Sequence, residues 1–205
     1  MPFEGAPDWA GDYLDPAEWQ ASEPFNPSND LHIDRLAGAL HFAFAAGNDQ
    51  PAFKRLVEIT TPRLQTISED IAQDEGLVLP AENLLDAFWS RVFVDLTPLK
   101  APIPHFLSHG AERMRLEAEA WVRDLALADP PEQGDAIYFA KIVQIAFHQL
   151  PIEQRRLLRG KDVCRMPDAD LAKRYDMPAD EVPAAVAAAR QRLDELTSRL
   201  DGADS

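Results

Sequence analysis

The sequence predicts an all-α protein built from two small helical domains joined by a flexible linker, and three observations lead there. Apolar residues recur at steps of three and four through most of residues 31–200. No stretch alternates with the two-residue period of a half-buried strand. The 17 prolines and 9 glycines fall mostly between the periodic segments, as punctuation between helices. A chain of 205 residues with 46% apolar content suits one large or two small globular domains.

The elements follow in order. Residues 1–30 mix Pro, Asp and Glu with Phe3, Trp9, Tyr13, Trp19 and Phe25 without a sustained period. They read as a disordered acidic arm, either a solvated tail or a segment that docks on a basic or apolar surface. A helical domain spans residues 31–128. Its first helix presents Ile33, Leu36, Leu40 and Phe44 on one face and stops at Gly47-Asn48-Asp49. The second carries Phe53, Leu56, Val57, Leu64, Ile67 and Ile71, with Pro62 marking a kink or a break. Pro80-Ala81-Glu82-Asn83 opens a third, with Leu84, Leu85, Phe88, Trp89, Val92, Phe93 and Leu96 as a broad apolar face. Pro98, Pro102 and Pro104 interrupt the pattern, and a fourth helix runs from about His105 to Leu127 with Phe106, Leu107, Met114, Trp121 and Leu125 inward. Residues 129–135, Asp-Pro-Pro-Glu-Gln-Gly-Asp, form the linker. A second domain at 136–200 begins with a helix whose Ile137, Phe139, Ile142, Val143 and Phe147 should face inward.

Composition narrows the function. No apolar run approaches the roughly 18 residues of a membrane span, and Met1-Pro2-Phe3-Glu4 lacks the basic and apolar stretches of a signal peptide. The expectation is a cytoplasmic protein without a membrane partner. Cys164 is the only cysteine, which excludes an internal disulfide and a cysteine-rich zinc framework and reads as a buried or incidental thiol. The net charge is −15, with seven acids and no Lys or Arg in residues 1–30, whereas residues 151–200 hold ten basic and nine acidic side chains. The C-terminal domain is therefore the least acidic part, and the chain should hold DNA weakly by itself.

That domain holds the most informative run. Leu150-Pro151-Ile152-Glu153-Gln154-Arg155-Arg156-Leu157-Leu158 precedes Asp170-Leu171-Ala172-Lys173-Arg174-Tyr175, and then Val182, Val186 and Ala189-Arg190-Gln191-Arg192-Leu193. This is the spacing of a helix-turn-helix, whose last helix can enter the major groove. Its Val182, Val186, Ala189, Leu193, Leu196 and Leu200 form a packing seam. The face that would read bases carries Pro183, Ala184, Ala185, Ala187 and Ala188, none of which offers a donor or acceptor to a base edge. Asp180 and Glu181 stand at the start of that helix, placed to cap it and to repel phosphate.

On these residues the chain resembles bacterial RNA polymerase sigma factors of the extracytoplasmic-function class. The C-terminal elements are Leu150-Pro151, Gln154-Arg155, Leu157-Leu158, Asp162-Val163, Leu171-Ala172, Met177, Val182, Ala189-Arg190 and Arg192-Leu193. The N-terminal ones are Gly47-Asn48-Asp49, Ala52-Phe53-Lys54-Arg55-Leu56 and Ala81-Glu82-Asn83-Leu84. The resemblance implies a sigma region 2-like domain at 31–128 and a sigma region 4-like domain at 136–200. It also implies core RNA polymerase and promoter DNA as partners, with an anti-sigma factor as a further one. It places polymerase contacts on Glu82, Asn83, Asp86, Trp89 and Arg91. DNA contacts would fall on Lys173, Arg174, Arg190, Arg192 and Arg199 in the C-terminal domain and on His109, Arg113 and Arg115 in the −10 segment. There Phe106 and Trp121 serve as stacking platforms or as core. Arg155, Arg156, Arg159, Lys161 and Arg165 form the densest basic cluster, suited to backbone contacts. The alternative is a sigma-fold interaction module that does not read promoters and sequesters an anti-sigma factor or occupies polymerase.

Catalysis is not expected. No Ser-His-Asp arrangement, phosphate-cradling glycine loop or paired carboxylates can be assembled. His105, His109 and Glu112 have metal-compatible spacing but lack a fourth ligand, so the reading takes no metal and no cofactor.

Overall fold

The computed structural model describes residues 8–14, 26, 28–94, 102–131 and 137–202. All regular structure among them is helical. A 3-10 turn at Asp8–Asp12 precedes α1 (Asp30–Gly47), α2 (Gln50–Asp74), α3 (Ala81–Val94), α4 (Phe106–Ala126), α5 (Tyr138–His148) and α6 (Ile152–Leu158). A π-helical turn, Arg159–Val163, then leads to α7 (Asp168–Arg174) and α8 (Val182–Asp201). Among the described residues, no helix is long and apolar enough to cross a membrane. Contacts group the described residues into two compact units, one within Met1–Ser68 and Leu85–Met114, the other within Glu69–Leu84 and Arg115–Ser205. Leu96, Pro98, the linker residues 132–135 and the aromatic residues Phe3, Trp19 and Phe25 lie outside the described residues.

In the first unit, Asn48 and Asp49 make the joint between α1 and α2. Asn48 adopts the left-handed conformation at φ 53° and closes α1 with its N–H on the Phe44 carbonyl. The Asp49 Oδ1 then accepts the Ala52 N–H at 3.0 Å and caps α2. Ile33, Leu36, Leu40 and Phe44 are buried, as their spacing requires, together with Leu56 and Leu64 of α2, Phe88 of α3 and Phe106, Leu107 and Met114 of α4. Phe106 is thus core, with its ring among those of His41, Phe88 and Trp89. The helix α2 passes through Pro62 without breaking. The start of α4 is capped from outside: Asp34 of α1, 5% exposed, accepts the Leu107 N–H at 2.6 Å. Burial pushes that carboxyl above its ordinary pKa.

The second unit packs α5, α6, α7 and α8 around Phe147, Leu150, Leu157, Leu158, Leu171, Val182, Val186, Ala189 and Leu196. Leu193 and Leu200 border this core, so the seam on α8 is the packed side of the helix. Two glycines fix close approaches. Gly76, at φ +60°, turns the chain out of α2 so that the Leu77 N–H reaches the Ala72 carbonyl at 2.9 Å. Gly160 lies where a Cβ would come within 2.4 Å of Leu171 Cδ2.

Several expectations are corrected. Ile137 and Phe139 are 54% and 65% exposed rather than inward, because α5 turns Ile142, Ile145 and Phe147 to the core instead. Phe93 is half exposed at the end of α3. Cys164 is exposed, which removes the buried-thiol reading. Glu181 stands at the N-cap of α8 but makes no side-chain capping bond. Within the supposed disordered arm, Asp8–Asp12 form a short helical turn with Ala10 fully buried.

Candidate nucleic-acid interface

The helix α7, its turn and α8 carry the candidate interface. Asp176, at φ 50°, ends α7, and the Met177 N–H returns to the Ala172 carbonyl at 3.0 Å. With the Val182–Leu196 side packed, α8 exposes Pro183, Ala184, Ala187, Ala188, Gln191 and Arg192. Gln191 and Arg192 are the donors on this strip, and both bond to Glu195, at 3.2 Å and 3.0 Å.

The other sequence-predicted contacts are paired in the same way. Arg190 forms a two-point pair with Asp162. Arg174 reaches Asp70 and Asp74, each at 3.0 Å. Arg199 donates to Gln149 Oε1 at 3.2 Å. Lys173 is exposed, as is Arg165, and neither makes an ion pair or side-chain hydrogen bond among the described residues. Sequence reasoning missed the acidic partners Asp70, Asp74 and Asp162. Arg174 is 104 residues from Asp70, and no local pattern signals a pair at that range.

Two members of the dense basic cluster turn away from solvent, while Arg156 and Lys161 are half-buried and Arg165 is exposed. Arg155 and Arg159 are 7% and 4% exposed. Arg155 donates to the carbonyls of His148 (3.3 Å), Leu150 (3.0 Å) and Glu75 (3.2 Å). Arg156 donates to the Asp74 carbonyl, and Arg159 to those of Leu77 and Leu79. These oxygens belong to the end of α2 with its following loop and to the end of α5, where the last carbonyls of a helix lack internal donors and carry partial negative charge. Three guanidinium groups thus clasp two helix ends. Burial pushes Arg155 and Arg159 below their ordinary pKa values. Gln73 completes the clasp, its Nε2 bonded to the Arg156 carbonyl at 2.9 Å and to the Tyr175 hydroxyl at 2.5 Å. The Cys164 thiol donates to Gln73 Oε1 at 3.5 Å.

On α4, His109, Arg113 and Arg115 are all exposed, with His109 and Arg113 one turn apart. His105 lies 3.8 Å from Asp34. Among the described residues no three His, Cys, Asp or Glu side chains converge as a metal-binding group. On α3, Glu82, Asn83 and Asp86 share one exposed strip and Arg91 is exposed beyond it. Trp89 is half-buried, packed on Phe53, Phe88 and Phe106. Its Nε1 is buried without a hydrogen-bond partner among the described residues. Compared with known proteins, the chain matches no family model, no curated protein and no solved structure.

Proposed function

We propose that this chain is a sigma-like transcription initiation protein that binds core RNA polymerase and directs it to promoters. The observation that carries the reading is the disposition of α8. Its seam is packed on α5, α6 and α7, and the opposite strip is open to solvent at the end of a helix-turn-helix, the geometry in which a recognition helix meets a groove. In this reading α8 contributes shape more than base readout, and Lys173 and Arg165 supply phosphate contacts beside it. His109, Arg113 and Arg115 would meet the −10 region, and the Glu82, Asn83 and Asp86 strip with Trp89 and Arg91 would meet polymerase. Such a protein acts in the cytoplasm, binds DNA weakly until polymerase supplies the rest of the interface, and performs no catalysis of its own.

A second reading rests on the chemistry of the same strip. Pro183, Ala184, Ala187 and Ala188 present no hydrogen-bonding side chain. This favours a sigma-fold interaction module that occupies polymerase or sequesters an anti-sigma factor without reading promoters. Run-off transcription with core polymerase on genomic fragments separates the two. Specific starts that fall at least tenfold in a K173A/R190A chain support promoter reading. Polymerase binding without any starts supports the interaction module, and absence of polymerase binding removes promoter reading and leaves only the anti-sigma branch of the second reading.

A further inference from the structure

Arg55 of α2 is the centre of a small, built contact in the first unit. Its guanidinium lies 4.7 Å from the ring centroid of Trp9 and 5.4 Å from that of Tyr13. The two rings meet edge to face at 6.4 Å. The Tyr13 hydroxyl accepts from Arg55 Nη1 at 3.1 Å and donates to Asp49 Oδ2 at 3.3 Å, while Asp12 stands 3.9 Å from Arg55. Ala10 of the same turn is fully buried. Asp49 is already fixed by its cap on α2, so the receiving surface is held by the α1–α2 joint rather than by the segment that sits on it.

The segment itself has little of its own to hold it. Its regular structure is a five-residue 3-10 turn, Asp8–Asp12, and its charged contact is solvent-facing, with the Asp12 side chain 71% exposed. Cation–π contacts and exposed ion pairs contribute weakly in such settings. A contact with a fixed receptor and a short, weakly self-stabilised ligand is one that exchanges. We propose that residues 8–14 are an intramolecular ligand for the Arg55–Asp49 surface, displaced when a partner protein offers an acidic segment with two aromatic rings four residues apart. A tethered segment works at an effective concentration of about 1 mM. If its free-peptide Kd is about a tenth of that concentration, it covers the surface roughly nine-tenths of the time and weakens a competing peptide about tenfold.

The probe is a fluorescein-labelled peptide of residues 6–16, titrated by fluorescence anisotropy into full-length chains. The W9A/Y13A chain, with its surface open, binds the peptide, wild type binds about tenfold more weakly, and W9A/Y13A/R55A does not bind. A W9A/Y13A chain that melts like wild type yet ignores the peptide overturns the proposal, as does undiminished binding after R55A. Hydrogen exchange on wild type gives a reading independent of those variants. The Tyr13 and Leu14 amides exchange faster than those of α2, and protection equal to α2 overturns the proposal. Wild type running as a dimer that R55A dissolves assigns the segment to a second copy and overturns it too.

Discussion

Arg155 and Arg190 belong to the same compact unit and to the same basic stretch of sequence, yet they do opposite things. Arg155 is buried and donates to three backbone carbonyls, whereas Arg190 is exposed and paired with a carboxylate. Neighbouring geometry decides the difference. The start of α6 lies against helix ends whose carbonyls have no donors of their own, and a guanidinium there replaces the missing N–H groups. The corresponding stretch of α8 faces water and the Asp162 side chain. Of the ten basic side chains in residues 151–200, Arg165 and Lys173 alone have no hydrogen bond or ion pair among the described residues. A count of charges along the sequence therefore overstates the positive surface available to a phosphate backbone.

The contrast can be broken most forcefully at Arg155. The R155A chain leaves three carbonyl groups without their donor and should lose on the order of 3 kcal/mol in urea unfolding. R155K should recover little of that, because an ammonium cannot reproduce the planar fork. A loss below about 1 kcal/mol would mean that water replaces the guanidinium at both helix ends.

A smaller effect sharpens the picture at His148, beside the clasp. Its Nδ1 lies 2.8 Å from the Gln144 carbonyl, its Nε2 is buried without a partner among the described residues, and burial, reinforced by Arg155, holds its pKa below the ordinary value. The unfolded chain takes up a proton near pH 6.5 that the folded chain resists. Stability at this site should therefore fall as pH drops through about 6.5, by up to about 1.4 kcal/mol per pH unit. Melting temperatures at pH 7.5 and 5.5 check the sign. H148N keeps a donor near the Nδ1 position without titrating, and should shrink the acid-induced drop. An unchanged drop would locate the pH sensitivity elsewhere, with buried His41 of the first unit next in line.

The smallest effect belongs to the exposed pair. R190A should change unfolding free energy by no more than about 0.5 kcal/mol, since surface ion pairs contribute little after solvent screening. A loss comparable to that of R155A would erase the distinction between the two arginines.

These outcomes also bear on what could be read in advance. The α1 stop at Asn48 and Asp49, the opening of α3 at Ala81 and the seam on α8 were legible because each is a local pattern: a turn dipeptide, a Pro-led start, an apolar repeat. The interior role of Arg155, Arg156 and Arg159 was not, because each has an acceptor among backbone oxygens about 80 residues earlier and no side chain there announces them. That the arm docks on a basic or apolar surface was one of two readings of the sequence, but the site taken by Trp9 and Tyr13 was hidden for a related reason. One cation on α2 organises both rings, and a segment without helical or strand period gives no sign of where it sits. Ile137 and Phe139 misled in the other direction, since apolar character alone fixes neither the start of a helix nor its rotation. Within the candidate interface, the bare alanine strip on α8 was readable from composition, while the neutralisation of Arg174 and Arg190 required the fold.

Cys164 is the chain's one sulfhydryl, and it stands exposed within 3.5 Å of Gln73 at the rim of the arginine clasp. A maleimide-linked spin probe would attach at that single point without any engineered mutation. Its spectral line shape would then report, in the native polypeptide, whether the α2 terminus stays seated when nucleic acid or polymerase is added.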